Sequence, residues 1–306
     1  MKKVLVATEK AFAKVAVDGI KKITDKAGYE LVLLENYTEK ADLLRAVADV
    51  DALIIRSDIV DAALVDAAKK LKIVIRAGAG YDNIDLAACT KNNVVAMNTP
   101  GQNSNAVAEL AIGMMIYFAR GCFNGKSGSE LLQKTIGIHA YGNVGKHVGR
   151  IAKGMGMTVY AYDPFVDKKA IEADGVIPVS SIDELYSKSQ YVSLHIPATA
   201  ETKNSIGFEL LMKMPHGAVL VNTARKEVID EPGMLKVFAA RKDFGYISDI
   251  EPACMNELKE QFPGRFYCTP KKMGAQTEEA NINAGLAAAN QIVDFFEKGD
   301  VRFKVN

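Results

Sequence analysis

Cysteine is scarce in this sequence, and its charges nearly cancel. The 306 residues include four cysteines and no Cys-x-x-Cys pair, and 38 Lys and Arg stand against 37 Asp and Glu. The scattered cysteines argue against a structural zinc site and predict a reducing, cytoplasmic location. The missing basic excess argues against a nucleic-acid-binding protein. No run approaches roughly 18 apolar residues, and the N-terminus lacks the apolar stretch of a secretory signal, so we expect neither a membrane span nor export.

Apolar residues, in contrast, are plentiful, at 49% of the chain against 25% charged. This balance is typical of a globular protein rather than of a disordered chain, a collagen or a coiled coil. At about 100–200 residues per domain, a chain of this length predicts two domains.

Short apolar, β-branched runs alternate with longer helical patterns along the chain. These runs predict strands at Val4–Val6, Leu31–Leu34, Ala52–Ile55, Ile73–Ile75, Val94–Met97, Thr135–His139, Thr158–Tyr162, Tyr191–His195, Ala218–Asn222, Phe244–Ile247 and Phe266–Cys268. The rhythm is typical of βαβ units, and near-continuous apolar strands predict parallel sheets covered on both faces. A helical pattern after residues 100–104 interrupts the rhythm, and a helical tail spans Ile282–Phe296. The sequence therefore predicts two α/β domains joined by a long helix.

A glycine-rich loop follows the strand predicted over Thr135–His139. It reads Ala140-Tyr-Gly142-Asn-Val-Gly145 and opens a helix. A dinucleotide-binding turn has the pattern G-x-G-x-x-G at this place, because glycine lets the backbone approach a pyrophosphate that lies at the helix N-terminus. Ala140 stands where the first glycine is usual. The pattern predicts cofactor contacts from Gly142, Asn143 and Val144.

An acidic residue ends the next strand, as a dinucleotide site requires. Asp163 follows Gly145 by 18 residues, from 145 to 163, and a carboxylate near this distance accepts hydrogen bonds from the adenosine ribose hydroxyls. Its charge would repel a 2′-phosphate, and no Arg follows it, so we predict NAD rather than NADP. A tight βα turn with an unrelated Asp is the alternative.

Further segments make the pattern more specific: Arg76–Asp85, Met97–Gly101, Ser193–Pro197, Val221–Arg225 and Cys268–Thr277. With the glycine loop they resemble the D-2-hydroxyacid dehydrogenase family, most closely its phosphoglycerate branch, over essentially the whole chain. The resemblance implies two Rossmann-like, doubly wound parallel-sheet domains. A NAD-binding domain at residues 99–282 would be inserted in a substrate-binding domain at residues 1–98 plus 283–306. It also implies a short form without the C-terminal regulatory domain of longer relatives.

The resemblance implies a role for each motif. Arg225 would be the positive neighbour of the substrate C2 oxygen, and Asp249 would accept a hydrogen bond from the nicotinamide amide. The substrate carboxylate would be held by backbone N–H groups of Gly78, Ala79 and Gly80. The residues expected to line the cofactor are His195, Pro197, Thr223 and Ala224. A surface Arg at a strand end, a plain glycine turn and a helix-capping Asp are the competing interpretations.

The segment that usually carries the catalytic histidine departs from the family's pattern. The family has Thr-Pro-His-x-Gly-Ala, whereas this chain has Thr269-Pro-Lys-Lys-Met-Gly-Ala, one residue longer, and its four histidines lie elsewhere. Counting back from Gly274 puts Lys272 in the place of the acid/base, and counting forward from the proline puts Lys271 there. We prefer Lys272, because the glycine side anchors the following helix. Glu251 is the candidate for the glutamate that normally partners the histidine, in a stretch that is shortened here.

A phosphorylated substrate needs cations near its distal end. Arg56 and Arg76 follow strands of the predicted substrate domain and, with Asn103, match substrate-binding positions of the phosphoglycerate branch. Lys271 is a further candidate for a phosphate contact. Arginines paired in surface salt bridges are the alternative.

The resemblance thus implies NAD-dependent oxidation of 3-phosphoglycerate to 3-phosphohydroxypyruvate, and its reverse, the first step of serine biosynthesis. Two alternatives stay open: another D-2-hydroxyacid dehydrogenase, acting on glyoxylate, hydroxypyruvate or D-lactate, and a NAD-binding regulator without catalysis. The apolar helix that begins near Asn105 and the dimers of relatives predict a homodimer. We expect no metal, no nucleic acid and no membrane partner.

Overall fold

The computed structural model describes all 306 residues, from Met1 to Asn306. The chain divides into two compact units: the first combines Met1–Asn103 with Gln276–Asn306, and the second is Ser104–Ala275. The second unit is therefore an insertion in the first along the chain. The boundaries predicted from the sequence, 98/99 and 282/283, lie a few residues from these. The binding roles of the two units stay predictions.

The strands form two parallel sheets. In chain order they are β1 Lys3–Thr8, β2 Glu30–Glu35, β3 Ala52–Ile55, β4 Ile73–Arg76, β5 Val95–Asn98, β6 Thr135–His139, β7 Thr158–Tyr162, β8 Ile177–Pro178, β9 Tyr191–Leu194, β10 Val219–Asn222, β11 Gly245–Ser248 and β12 Phe266–Cys268. The first sheet has the order β2-β1-β3-β4-β5, and the second has the order β12-β11-β10-β9-β6-β7-β8. All pairings between these strands are parallel.

Helices connect the strands. They are α1 Lys14–Lys26, α2 Lys40–Val47, α3 Ala62–Ala67, α4 Leu86–Lys91, α5 Ser104–Ala119, α6 Asn143–Gly154, α7 Lys168–Ala173, α8 Ile182–Lys188, α9 Phe208–Leu211, α10 Glu231–Ala240, α11 Met255–Gln261 and α12 Glu278–Lys298. Short 3₁₀ turns lie at Gly121–Phe123 and Lys226–Val228. No helix in the structure combines the length and the apolar character that crossing a bilayer requires.

Alternation along β3 shows why the first sheet is buried on both faces. Leu53 and Ile55 belong to one apolar cluster, and Ala52 and Ile54 belong to another. Successive side chains of a strand point to opposite faces, so an all-apolar strand fills the cores on both sides of a sheet covered by helices. The continuous apolar runs of the sequence therefore predict parallel strands correctly.

The last helix, α12, completes the first unit. The Thr277 hydroxyl caps its start by accepting the Ala280 N–H at 3.1 Å, and Gly299 ends it in the left-handed region at a φ of 68°. At Gly285 a Cβ would lie 3.2 Å from the side chains of Ile20 and Phe12. The small residue lets α12 approach α1 closely, so the end of the chain returns to the unit in which it began.

Each sheet has a point at which the chain reverses the direction of strand addition. In the first sheet this point lies between β1 and β3, and in the second it lies between β6 and β9. Ligands of open α/β sheets bind outside the carboxyl ends of the strands at such switch points. The loops after these four strands are therefore where each unit is expected to bind its ligand.

The predicted fold class, two doubly wound parallel-sheet domains, is confirmed. The strands predicted from apolar runs agree with the structure to within two residues at each end. The edge strand β8 was not predicted, because two residues, one of them proline, give no apolar run.

Candidate active site

The loop after β6 has the geometry that a dinucleotide pyrophosphate needs. α6 begins directly after Gly142, and the first N–H groups of a helix have no partner within it. No atom lies within 4 Å of where a Cβ of Gly142 would stand, so the backbone is open to a ligand. At Gly145 a Cβ would collide with the Ala140 carbonyl oxygen. One glycine therefore leaves room for a ligand, and the other lets the helix pack against the strand.

Ala140 fills the place of the first glycine at a conformational cost. Its φ is 77°, in the left-handed region that costs an L residue about 1–2 kcal/mol. The next N–H, that of Tyr141, donates to Asp163 Oδ2 at 2.8 Å. The Tyr141 ring is buried, and its hydroxyl donates to Asp174 Oδ2 at 3.1 Å. These contacts hold the turn in its dinucleotide-binding shape despite the alanine methyl.

Asp163 lies at the end of β7, beside the glycine loop. Its Oδ1 accepts the Phe165 N–H at 2.8 Å, and its Oδ2 accepts that of Tyr141 at 2.8 Å. A carboxylate offers about four acceptor positions, and the side chain is partly exposed. Asp163 therefore keeps acceptor positions for ribose hydroxyls while it closes the turn.

Two histidines lie at the switch point of the second sheet. Burial lowers the pKa of His139 to about 4, although the nearby Asp163 carboxylate opposes this. Burial and, to a smaller extent, the neighbouring His139 lower the pKa of His195 to about 3. The rings contact Tyr186 and Ser193 hydroxyls, at 3.2 and 2.9 Å. Both imidazoles are neutral at physiological pH, so His195 is suited to lining a cofactor rather than to donating a proton.

The segment after β10 carries Arg225. The buried Asn222 side chain accepts the Ala224 N–H and donates to the Arg225 carbonyl, each at 3.0 Å. The same amide donates to the Tyr246 hydroxyl at 3.4 Å. The Thr223 hydroxyl is buried and has no hydrogen-bond partner within the chain, so it can form a hydrogen bond with a bound group. Asn222 thus shapes the strand end that presents three of the predicted residues.

Asp249 has a role that the sequence did not indicate. It is 1% exposed, and its Oδ1 accepts the Thr269 hydroxyl at 2.8 Å and the Met273 N–H at 2.7 Å. Its Oδ2 accepts the Gly274 N–H at 2.7 Å. The carboxylate therefore ties down the segment that contains both candidate lysines. The predicted contact with the nicotinamide amide stays a prediction.

Lys271 and Lys272 are both exposed at the tip of this tied segment, and so is Glu251 in the turn after β11. Burial and, to a smaller extent, the Glu251 carboxylate raise the pKa of the Cys268 thiol to about 12. Glu251 therefore lies near the residue that precedes Thr269. Its predicted part in proton transfer stays a prediction, as does the choice between the two lysines.

In the first unit, Arg56 follows β3 at the switch point. Its Nη1 donates to the carbonyls of Lys10 and Ala11 at 3.1 and 3.3 Å, and its Nη2 donates to Asn281 Oδ1 at 2.6 Å. The guanidinium also lies over the Phe12 ring, 5.1 Å from its centroid. Because a guanidinium has five N–H donors, Nε and one Nη2 hydrogen stay available. Arg56 is held in one position and still offers two donors to an anion.

Asp58, two residues later, organises the loops around Arg56. It is 3% exposed, and its Oδ1 accepts the Glu9 N–H at 2.8 Å and the Tyr37 hydroxyl at 2.7 Å. Its Oδ2 accepts the Arg56 N–H at 3.1 Å. A carboxylate beside Arg56 would by itself disfavour a bound anion. The structure shows that its charge is directed into backbone and hydroxyl donors instead.

The Arg76-Ala-Gly-Ala-Gly loop lies next to Arg56. The Arg76 Nε donates to the Arg56 carbonyl at 3.1 Å, and a Cβ on Gly78 would collide with the Arg76 guanidinium. The Gly78 N–H donates to the Arg76 carbonyl at 2.8 Å. The N–H groups of Ala79 and Gly80 are therefore better candidates than that of Gly78 for holding the substrate carboxylate. Gly78 instead makes space for the Arg76 side chain. Asn103 lies directly before α5, and its substrate contact stays a prediction.

Sequence reasoning missed the residues that hold these groups in place. Asn222 is a polar residue at the end of a buried strand. That position was the only sign in the sequence that its side chain forms hydrogen bonds that shape the strand end. Asp58 follows a buried strand in the same way. Asn281 contacts Arg56 from 225 positions away, and no local pattern indicates such a pairing.

A known family model matches most of the second unit. Residues 114–262 match the model of the D-isomer specific 2-hydroxyacid dehydrogenase NAD binding domain. The chain is similar over its whole length to the crystal structure of NAD⁺-bound 3-phosphoglycerate dehydrogenase from Entamoeba histolytica. The identity is 50%, the TM-score is 0.87, and 98% of that chain is covered.

Two curated relatives differ in how much of them is matched. The D-3-phosphoglycerate dehydrogenase of Synechocystis sp. is 33% identical over all of this chain, which covers 56% of that enzyme. The hydroxypyruvate reductase of Thermotoga maritima is 35% identical over 86% of this chain, which covers 90% of that enzyme. The chain thus spans about half the length of the first relative and nearly all of the second.

Proposed function

Because the chain belongs to the D-isomer specific 2-hydroxyacid dehydrogenases, we propose that it oxidises 3-phosphoglycerate to 3-phosphohydroxypyruvate with NAD and catalyses the reverse reduction. In this proposal the second unit binds NAD, and the first unit binds the carboxylate and the phosphate of the substrate. The open Gly142 backbone, the Asp163 acceptors and the orphaned Thr223 hydroxyl fit NAD.

The arrangement of Arg56 carries the choice of a phosphorylated substrate. Its guanidinium is fixed by three acceptors and one ring, yet it keeps two donors. A planar fork with two free N–H groups matches a phosphate in bidentate geometry. Arg76 adds a second positive charge beside it. An unphosphorylated hydroxyacid has no distal anionic group to accept the two remaining Arg56 N–H donors.

The proposed chemistry assigns each group one task. Gly142 and Asp163 would hold the dinucleotide, which would supply the hydride acceptor for oxidation at C2 and, in its reduced form, the hydride donor for the reverse reaction. Arg225 stabilises the negative charge that develops on the C2 oxygen during reduction. Lys272 donates a proton to that oxygen, and in the oxidation direction it removes the proton. The N–H groups of Ala79 and Gly80 hold the carboxylate.

Reduction of unphosphorylated hydroxypyruvate is the second candidate. It is favoured by the near-complete coverage of the Thermotoga maritima reductase at 35% identity. The two candidates share the chemistry at C2 and differ in whether the distal end of the substrate carries charge.

One experiment separates the candidates. NADH oxidation is followed with phosphohydroxypyruvate and with hydroxypyruvate for the wild type, Arg56→Ala and Arg76→Ala. Hydrogen bonds to charged groups contribute about 1.5–3 kcal/mol, so each substitution should lower kcat/KM for the phosphorylated substrate by about tenfold to a hundredfold. Hydroxypyruvate turnover should change little.

The control is Arg45→Ala, which removes an exposed arginine of the same unit that pairs only with Asp42. Equal loss for both substrates would favour the reductase. Absence of turnover with every 2-oxo acid, with NADH binding intact, would favour the regulator.

We also propose a homodimer. α5 buries six of its residues, yet Gly113 and Ile116 on the same apolar helix stay exposed. Phe123, in the 3₁₀ turn that follows α5, is 67% exposed. A second copy of the chain would cover these apolar groups. Light scattering at micromolar concentration tests this, and a monomer mass would contradict it.

Cysteine chemistry supports a cytoplasmic location as a further proposal. All four cysteines are free thiols, and two of them, Cys89 and Cys254, are buried. Such thiols persist in a reducing compartment. Localisation of a tagged chain in cells of its source would test this.

A further inference from the structure

Asn281 lies near the start of α12 and contacts Arg56 within the first unit. Its Oδ1 accepts a hydrogen bond from Arg56 Nη2 at 2.6 Å, and its Nδ2 donates to the Thr277 carbonyl at 2.8 Å. The side chain is half-buried. One neutral side chain therefore connects the start of α12 to the guanidinium that the proposed function assigns to the substrate phosphate.

An amide suits both contacts of Asn281. A guanidinium has donors and no acceptor, whereas a backbone carbonyl has acceptor positions and no donor. A side chain between them must therefore accept on one side and donate on the other, which Asn281 does with its oxygen and its NH₂ group. A carboxylate in this place would turn an oxygen toward the Thr277 carbonyl, and an aliphatic side chain would satisfy neither partner.

α12 supports Arg56 from a second position as well. At Gly285, four residues after Asn281, a Cβ would lie 3.2 Å from the Phe12 ring, so the glycine lets this ring approach the helix. The Arg56 guanidinium lies over the same ring, 5.1 Å from its centroid. Residues four positions apart lie on one face of a helix. One face of α12 thus holds the edge of the guanidinium and seats the ring against which it lies.

The acceptors that hold the Arg56 guanidinium are all neutral. They are the Lys10 and Ala11 carbonyls and the Asn281 amide. The buried Asp58 carboxylate accepts the Arg56 backbone N–H at 3.1 Å instead. A cation held by neutral acceptors keeps its attraction for an anion, whereas a cation paired with a carboxylate would first have to give up that partner. The arrangement therefore fixes Arg56 in place without neutralising its charge.

We propose that Asn281 is the positioning residue for Arg56 and thereby sets the preference for a substrate with an anionic distal end. This inference rests on the proposed function, in which Arg56 binds the phosphate. Asn281 acts through Arg56, which binds the end of the substrate remote from C2. Changing Asn281 should therefore weaken the binding of the phosphorylated substrate, which raises KM, and should leave the hydride and proton transfers at C2 intact.

Asn281→Asp tests the proposal most sharply, because it keeps the size of the side chain and gives Arg56 a charged partner. It should raise KM for phosphohydroxypyruvate by about tenfold or more, since a hydrogen bond between charged groups is among the stronger ones. Its kcat, and its KM for hydroxypyruvate, should change by less than about threefold, because only the binding of the remote phosphate is weakened. An acid near a helix N-terminus is favourable, so we expect this variant to fold.

Asn281→Leu is the second variant, and it removes both hydrogen bonds without adding charge. It should raise KM for phosphohydroxypyruvate by about threefold to tenfold, because an arginine that is no longer held loses side-chain entropy when the substrate binds. The matched control is Asn283→Asp, which adds the same charge at an exposed position two residues further along α12. It should leave both KM values unchanged, since its carboxylate does not replace the group that contacts Arg56.

Two kinetic outcomes overturn the proposal and leave the proposed function standing. One is an equal loss for both substrates in Asn281→Asp, and the other is an equal rise of KM in Asn283→Asp. Titration calorimetry with inorganic phosphate gives a readout without turnover. If the wild type does not prefer phosphohydroxypyruvate, the proposed function fails. Weaker phosphate binding by Asn281→Asp than by the wild type and Asn283→Asp would then still support the role of Asn281, and equal phosphate binding would overturn it.

Discussion

Both units are doubly wound parallel sheets, one of five strands and one of seven, and they differ at the turn after their first strand. In the second unit, Ala140–Gly142 leads straight into α6, and the Gly142 backbone is open. In the first unit, Glu9–Ala13 separates β1 from α1, and the Glu9 N–H donates to Asp58 at 2.8 Å. One turn offers its N–H groups to a ligand, whereas the other directs an N–H to a carboxylate of its own chain.

Under the proposed function, this difference would let two doubly wound sheets recognise two kinds of anion. At the switch point of the second unit, backbone N–H groups and a helix N-terminus suit a dinucleotide pyrophosphate. In the first unit the Asp58 carboxylate occupies the corresponding donors, and positive charge comes from Arg56 and Arg76 on the neighbouring strands. The topology determines where a ligand binds, and the loop residues determine which ligand it is.

The largest effect is expected at the proton-transfer group of the second unit. Lys272→Ala should lower kcat by about 10²–10⁴-fold, the usual contribution of a general acid or base. NADH binding, measured by fluorescence titration, should be nearly unchanged, because the substitution leaves the glycine loop intact.

Lys271→Ala is the matched variant. It should lower kcat far less than Lys272→Ala does, or it should raise KM if Lys271 contacts the phosphate. If Lys271→Ala abolishes turnover and Lys272→Ala does not, the register of the segment is one residue away from the one we prefer.

Acid should distinguish the units, because all four histidines lie in the second. The His139 pKa is lowered from 6.5 to about 4, so the unfolded chain binds the proton more readily. Its contribution to stability is complete above pH 6.5 and is lost as the pH falls toward 4. At about 1.4 kcal/mol per pKa unit, the free energy of unfolding of the second unit should fall by about 3 kcal/mol.

Hydrogen exchange between pH 6.5 and pH 4.5 measures this difference, with the first unit as an internal reference. His139→Gln should reduce the acid sensitivity of the second unit. His216→Gln, at an imidazole that is 93% exposed, should not. Equal acid sensitivity of the wild type and His139→Gln would contradict the assignment.

Cofactor choice should depend on Asp163 alone among nearby acids. Asp163→Ala should lower kcat/KM for NAD by about tenfold, since hydrogen bonds to a charged acceptor contribute about 1.5–3 kcal/mol, and it should raise the use of NADP. Asp167→Ala, which removes the exposed cap of α7, is the control. Equal use of NAD and NADP by the wild type would refute the role of Asp163.

The smallest effect concerns the alanine in the glycine loop. Ala140→Gly removes a left-handed alanine, a gain of about 1–2 kcal/mol, offset by about 0.4–1 kcal/mol of unfolded-state entropy. The net gain should raise the melting temperature by about 1–4 °C. Unchanged NADH affinity would show that the methyl strains the turn without narrowing the site. A lower melting temperature would contradict the expected strain.

Much of the fold followed from the sequence because its signals are local. β3 and β9 are apolar at almost every position, and such strands cannot be placed except in a sheet with two covered faces. The glycine loop and Asp163 were also recognisable, since strand, turn, helix and acid follow one another between Thr135 and Asp163. What local patterns could not show was the surroundings of isolated polar residues: Asp58 and Asp249 each accept hydrogen bonds from donors in other segments of the chain.

The sequence by itself determined two parallel sheets and the turn that suits a dinucleotide, because periodicity and short motifs are properties of neighbouring residues. The lysine in the place of the catalytic histidine stays a prediction. Only the tertiary structure decided what holds those groups. It brought Asn281 to Arg56, Glu9 to Asp58, and Thr269 and Gly274 to Asp249. These contacts join positions far apart in the chain. A buried carboxylate can repel an anionic ligand, accept a hydrogen bond from a ligand, or hold a loop of its own chain in place. Which of these it does depends on the donors that surround it, and folding determines those donors.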